Sequence, residues 1–326
     1  MKKISRIWLS ITALAITGLT LSGCTAGGAG DSSRPVIGIS VKTITNDPFQ
    51  QAWVDAATAS VKAAGGETVL LTAGGQTAVA NQVSQINDLI ARRVNALIVN
   101  PIDGQAIVPA LQRAQSGHIP VIVVDSAVAD GNENLYESFI ATDNVLAGEQ
   151  AAKFLTKSLH PTAKVAIVEG AAGSLPGDQR KEGFLKGLNS VGITPVASAA
   201  GDWASDKALT VTENILTANP KVSAILTAGG PMVDGIIQAL AHAGLTDSVK
   251  VVTIDGSAQS IQQVIAGQIF ALNTQDPVKM GTLAGKNAVG LAGGKIATGS
   301  LEKYVDSGTT TVSSENAQES LANAFK

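Results

Sequence analysis

Between residues 36 and 291, short apolar, β-branched runs take turns with longer segments whose apolar residues recur every three or four positions. This alternation restricts the fold more than any other feature. Strands that alternate with helices pair in parallel and lie buried beneath those helices. Strand-like runs fall at 36–41, 68–72, 96–100 and 121–125, separated by helical segments at 49–64, 78–92 and 105–116. Over 78–92, Val79, Val83, Ile86 and Ile90 share one face, and Gly65-Gly66 ends the preceding helix. A second series follows residues 139–144, with helices at 145–158, 176–190, 205–218, 232–242, 261–266 and 277–291. Its strands fall at 164–169, 195–199, 224–227, 249–255 and 269–274. The tail over 304–312 is β-branched and hydroxylic, and 314–325 is weakly amphipathic. Aromatic residues make up only 3% of the chain, which suits closely packed parallel sheets. The two series match in size but share no sequence repeat, and no Pro/Gly-rich linker divides them near residue 140. The expected fold class is therefore α/β, with two Rossmann-like halves and a hinge inside structured strands.

Ligands of open α/β sheets bind at the carboxyl ends of the strands. There the first strand runs into Thr45-Asn46-Asp47-Pro48-Phe49-Gln50, where Asp47 offers an acceptor and Phe49 a flat apolar face. Pro48 suits the first turn of the following helix. The runs at 121–125 and 249–255 also end in acids, Asp125 and Asp255.

The chain begins with a basic patch of Lys2, Lys3 and Arg6, an apolar stretch over 7–21, and Leu21-Ser22-Gly23-Cys24. This is the layout of a secretory signal over 1–23, too short and too soon interrupted for a membrane span. Cys24 is the single cysteine, so no intrachain disulfide is possible. The tetrad resembles a bacterial lipobox, which implies lipidation of Cys24 and a flexible tether over 24–34, rich in Gly, Ala and Ser. Losing the three leader cations takes the formal charge from −3 to −6, which argues against nucleic acid as a partner.

Six segments carry a family resemblance. They are Asn46-Asp47-Pro48-Phe49, Val124-Asp125, the run Ala141-Thr142-Asp143-Asn144 through Gly148, Gln179-Arg180-Lys181-Glu182-Gly183-Phe184, Ile254-Asp255-Gly256 and Asn273-Thr274-Gln275-Asp276-Pro277. In this order and spacing the chain resembles the sugar-binding proteins of bacterial ABC transporters, of the ribose and galactose type with the type I periplasmic binding protein fold. The resemblance implies two lobes joined by a three-segment hinge near 141–143, 273–276 and 305–307. The N-terminal lobe then takes 35–140 with 276–305, and the C-terminal lobe 141–275 with 306–326. It also implies a monosaccharide ligand, delivery to permease subunits, a monomer, and a place on the extracytoplasmic side of the membrane, in the periplasm or on the outer face.

Sugar recognition uses planar polar groups for adjacent hydroxyls and aromatic faces for the ring. By resemblance, Asp125 and Arg180 supply fork-like pairing from opposite lobes, Asp255 a second carboxylate, and Gln275 an amide near the hinge. Phe49 and Trp203 sandwich the ring, and Thr43 and Thr142 are candidate hydroxyl contacts. Each has an ordinary alternative use: helix capping for the aspartates, a solvated charged turn for Arg180, a core aromatic for Trp203, and a strand end for the threonines. The chain departs from the ribose type at Asp47, where that type has asparagine, and at Gln50, where it has a second phenylalanine. Ser126 stands in place of an arginine, and Gly229-Gly230 in place of Asn-Asp. These smaller residues are expected to leave room, favouring a hexose or related polyol over ribose, or bridging water.

Catalytic chemistry finds little support. His118, His160 and His242 have neither metal-ligand spacing nor a nucleophile motif beside them. Gly170-Ala171-Ala172-Gly173-Ser174 lacks the lysine of a phosphate loop. Two aspartates facing a sugar suit a glycosidase, but binding alone accounts for them. The expectation is a non-enzymatic protein with no cofactor and no metal. A transcription regulator of the same architecture needs a helix-turn-helix, which the leader and tether replace. A lipoprotein that presents a sugar or signalling molecule to a membrane receptor stays open as the alternative.

Overall fold

The computed structural model describes residues 34–325. The expected signal over 1–23, the lipidation site Cys24 and the tether up to residue 33 lie outside the described residues.

The chain opens with β1 (Val36–Val41), α1 (Pro48–Ala63), β2 (Glu67–Thr72), α2 (Val79–Ala91), β3 (Ala96–Val99), α3 (Val108–Ser116), β4 (Val121–Val124) and β5 (Ser138–Ala141). There follow α4 (Asn144–Thr156), β6 (Lys164–Glu169), α5 (Leu175–Asn189), β7 (Ala197–Ala200), α6 (Ser205–Ala218), β8 (Val222–Thr227), α7 (Val233–His242), β9 (Lys250–Asp255), α8 (Ala258–Ile265) and β10 (Ala271–Thr274). The last elements are α9 (Pro277–Ala292), β11 (Tyr304–Asp306), β12 (Thr311–Ser313) and the short α10 (Ala317–Ser320).

The strands form two six-stranded sheets. The first has the order β11-β5-β4-β3-β1-β2, with every pairing parallel. The second has the order β12-β10-β9-β8-β6-β7 and is parallel except for the antiparallel pair of β12 with β10. Each sheet therefore reverses its strand order beside its first strand, at β1 and at β6, and the crevice for a ligand lies at that reversal.

Both sheets are buried on both faces, which explains their continuous apolar runs. Trp53 of α1 and Met280 of α9 cover one face of the first sheet, and Ile86, Leu89 and Leu111 of α2 and α3 the other. Phe184 and Leu155 of α5 and α4 cover one face of the second sheet, and Ile236 and Ile261 of α7 and α8 the other. Helix α9 follows a strand of the second sheet yet packs on the first, and β11 and β12 join different sheets. The chain thus passes between the sheets three times, after β5, after β10 and after β11.

Three local differences from the pattern have local causes. Helix α8 starts at Ala258, earlier than its apolar spacing indicates, because the Ser257 hydroxyl accepts from the Ser260 amide at 3.2 Å and caps it. The tail is split into two strands by the irregular stretch 307–310, which contains Gly308 with a φ of 92° that favours glycine. Strand β5, unmarked by any alternation, pairs with β4 and β11 at the edge of the first crossing.

Candidate functional site

The carboxyl ends of the two sheets face one cavity of about 470 Å³, its open mouth included. Seven of the nine candidate binding residues line it: Asp47, Phe49, Asp125, Arg180, Trp203, Asp255 and Gln275. Thr43 and Thr142 are buried beside it without lining it. The Thr43 hydroxyl accepts from the Thr45 amide at 3.1 Å, and Thr142 shares a hydrogen bond with Ser307 at 3.2 Å, between two of the crossing segments.

On the first sheet Asp47 serves two purposes. Its Oδ1 accepts from the Gln50 amide at 3.1 Å, capping α1, and its Oδ2 accepts from Gln76 Nε2 at 2.7 Å. Burial pushes its carboxyl up to about 6; the charge of Asp125 adds to the rise, while the Gln50 and Gln76 hydrogen bonds and Lys42 oppose it. Asp125 stands where β4 gives way to a loop, held at φ 65°. Its Oδ2 accepts from Asn100 Nδ2 at 3.1 Å and lies 3.4 Å from the ammonium of Lys42. Lys42 also donates to Ser126 Oγ at 2.6 Å. The cation missing at Ser126 is therefore supplied from the end of β1, and the room expected there is filled.

Arg180 organises the second sheet's side. Its Nε donates to Asn144 Oδ1 at 2.8 Å, Nη1 to the Ala228 carbonyl at 2.7 Å, and Nη2 to Gln275 Oε1. Three of its five N–H groups are so engaged and two are left for a ligand. Burial lowers its pKa to about 10 against the pull of Asp125 and Asp255, so it stays charged at neutral pH. The guanidinium carbon lies 5.7 Å from the Trp203 ring centroid, within cation–π range. Burial also raises the pKa of Asp255, opposed by hydrogen bonds from Ser260 and Ser257. The hydroxyls of both serines donate to its Oδ2.

The glycine pair does not leave a void either. A Cβ on Gly229 would come within 2.7 Å of the Trp203 ring, and one on Gly230 within 2.0 Å of Asp255 Oδ2. The indole and the carboxylate take the space that a side chain at either position would need. Gly230→Ala is expected to fold but to drive the Asp255 carboxylate off its serines, at an overpacking cost of about 1–3 kcal/mol. Thermal unfolding and ligand titration of the variant check this; wild-type affinity would show that Asp255 can move freely.

Backbone strain concentrates here. Among the described residues six non-glycines have left-handed φ, and Asn46, Asp125, Asp202 and Trp203 are four of them, at 55°, 65°, 55° and 57°. The other two, Arg93 and His118, end helices. Such strain persists where the surrounding structure fixes a side chain for use.

Sequence reasoning missed Lys42, Gln76, Ser174, Pro176, Pro231 and Ile254, which also line the cavity, and Asn100 and Asn144 behind it. A lysine ending a buried strand was a usable signal for Lys42. The histidines stay away from the cavity: His160 bonds Thr162, His242 pairs with Glu213 at 2.9 Å, and His118 is exposed. Among the described residues no acid, histidine or cysteine cluster could hold a metal, and no helix is long and apolar enough to cross a membrane.

Residues 37–296 match the periplasmic binding protein domain. The chain belongs to the periplasmic binding protein family. It is 32% identical over 252 residues to the ribose import binding protein of Haemophilus influenzae, a match covering 77% of this chain and 84% of the relative. It is 31% identical over 255 residues to the D-allose-binding periplasmic protein of Escherichia coli, covering 74% and 80%. A solute binding protein of an ABC transporter from Actinobacillus succinogenes, solved with bound D-allose, superposes with a TM-score of 0.82 at 29% identity, covering 88% of this chain and all of that one. The family resemblance read from the six segments is thus confirmed, as is the two-lobed, mostly parallel α/β fold of this periplasmic binding protein. These relatives are binding proteins of transport systems, and this binding protein, like them, is not an enzyme.

Proposed function

We propose that this protein captures a monosaccharide between its two lobes and delivers it to the permease of an ABC transporter, with a hexose or related polyol favoured over ribose. The lobes are 35–140 with 276–305 and 141–275 with 306–326, closing about the three crossings. One observation carries the reading: buried acceptors (Asp47, Asp125, Asp255), buried donors (Lys42, Arg180) and two aromatic rings (Phe49, Trp203) converge on a single cavity. Fixed acceptors and donors of both signs match vicinal hydroxyls, and the rings match C–H faces. Support for a hexose comes from the D-allose relatives and from Asp47, a carboxylate that accepts from hydroxyls but cannot donate as an amide does. Thr43 and Thr142 fit the reading as supports of the cavity wall and the hinge. The protein acts as a monomer, held on the extracytoplasmic side through lipid on Cys24. Cys24→Ser is accordingly expected to move it from the membrane to the soluble fraction or to block its maturation, read by fractionation.

The test is a thermal-shift screen against pentoses, hexoses, polyols and nucleosides. Stabilisation by a hexose or polyol supports the reading; stabilisation only by amino acids or peptides overturns it.

Asp47 adds a pH signature. A carboxyl raised from 3.8 to about 6 gives the folded state more bound protons, so its contribution to stability is complete below 3.8 and is lost as pH rises through about 6. Asp47→Asn abolishes that loss. Its stability relative to wild type is expected to improve between pH 4 and 7, measured by urea unfolding, and its ligand ranking to shift. An unchanged ranking would remove the weight placed on Asp47.

A further inference from the structure

Past Pro231 and Asp255 the cleft widens into a second chamber of about 870 Å³, open mouth included, between the turn at 46–49 and the first turns of α7 and α8. Asp47, Phe49, Gly230, Pro231 and Asp255 line both spaces, so the two adjoin across these residues. Phe49 stands at the junction, its ring held edge-on by Phe325 with centroids 6.0 Å apart. Phe325 comes from the chain end, which is tied to the second sheet's side through the Ala258 amide at 2.8 Å.

The chamber carries an ordered set of polar groups. The Asp234 carboxylate accepts from Gln259 Nε2 at 3.0 and 3.2 Å and from Gln263 Nε2 at 2.7 Å. With its amide nitrogen so held, Gln263 presents its carbonyl oxygen elsewhere. That oxygen is buried with no hydrogen-bond partner, on a side chain only 7% exposed. The amide of Gln263 thus fixes the Asp234 carboxylate on the chamber wall, where its oxygens can accept from a ligand hydroxyl. The chamber's side chains combine acceptors, amides and hydroxyls with the rings of Pro48, Phe49 and Pro231, with no lysine or arginine among them. An anion finds no counter-charge there, whereas a further set of hydroxyls finds partners and the C–H face of a sugar ring finds Pro48, Phe49 and Pro231.

Resting on the reading of the first cavity as a monosaccharide site, we infer that the second chamber is a subsite for another sugar ring or polyol arm joined to the first. The protein then accepts a disaccharide or glycoside as well as the free monosaccharide.

Calorimetric titration with D-allose, D-galactose, D-glucose and D-ribose, and then with lactose, melibiose, cellobiose and methyl glycosides, tests this. At least one disaccharide is expected to bind within about tenfold of its parent monosaccharide. Gln263→Leu is expected to weaken that disaccharide by about tenfold while leaving the monosaccharide within about twofold. The exposed Asp234→Asn provides a second variant whose folding is not at risk, with the same expected pattern. A loss of more than about a hundredfold whenever a bound monosaccharide is extended overturns the subsite. So do equal effects of both variants on the two ligand classes. Binding of no sugar at all overturns the monosaccharide reading itself, and the subsite with it.

Discussion

Lys42→Met is expected to destabilise the protein by about 3–5 kcal/mol, the cost of removing one member of a buried ion pair. Lys42 and Asp125 are 6% exposed each, and their charged atoms lie 3.4 Å apart. With the ammonium gone, Asp125 keeps only the amide of Asn100 and the hydroxyl of Ser126 as donors, and Asp47, itself buried, adds repulsion. Urea unfolding at neutral pH gives the magnitude. The double variant Lys42→Met with Asp125→Asn separates charge from packing, because it removes the unpaired carboxylate while keeping the shape. It is expected to recover most of the stability but none of the binding. A double variant no more stable than Lys42→Met alone would show that Lys42 acts through its stem and not through its charge.

Arg180→Ala is expected to weaken ligand binding by at least about 3 kcal/mol, more than a hundredfold, with a smaller loss of stability. The guanidinium joins Asn144, the Ala228 carbonyl and Gln275, so its removal strands three acceptors beside the cavity. It also removes the cation between Asp125 and Asp255 and the partner of the Trp203 face. Arg180→Lys is not a rescue: an ammonium cannot reproduce the fork that meets three acceptors in different directions. Titration of both variants with the best ligand from the thermal-shift screen gives the test. Near-wild-type affinity in Arg180→Ala would place the guanidinium in a purely structural role.

Much of the cavity was legible because its residues occupy positions that strand and turn grammar marks. Asp125 and Asp255 each close a β-branched run, Asp47 lies in the turn after the first one, and parallel sheets send those ends to one side. For Asp47 the capping use and the place in the cavity turned out to be compatible: it caps α1 and lines the cavity with the same carboxylate. Trp203 was assigned through the family resemblance, though its pose depends on a left-handed pair with Asp202 that no periodicity encodes. The expectation of free space beside Ser126 and Gly229-Gly230 failed for a single reason. Volume at one position is filled by whatever another segment brings there, and Lys42, Trp203 and Asp255 come from segments far along the chain.

By itself, then, the amino-acid sequence determined the alternation of elements, the parallel sheets, the edge at which a ligand meets them and the family to which the chain belongs. These follow from local periodicity, turn chemistry and short segments in a set order. Only the tertiary structure decided that Lys42 neutralises Asp125, that Gln76 and Ser174 join the wall, that Arg180 is held by three acceptors and that a polar chamber adjoins the cavity. Distances between side chains from different segments are set by how the sheets and helices pack together, and a linear pattern does not contain them.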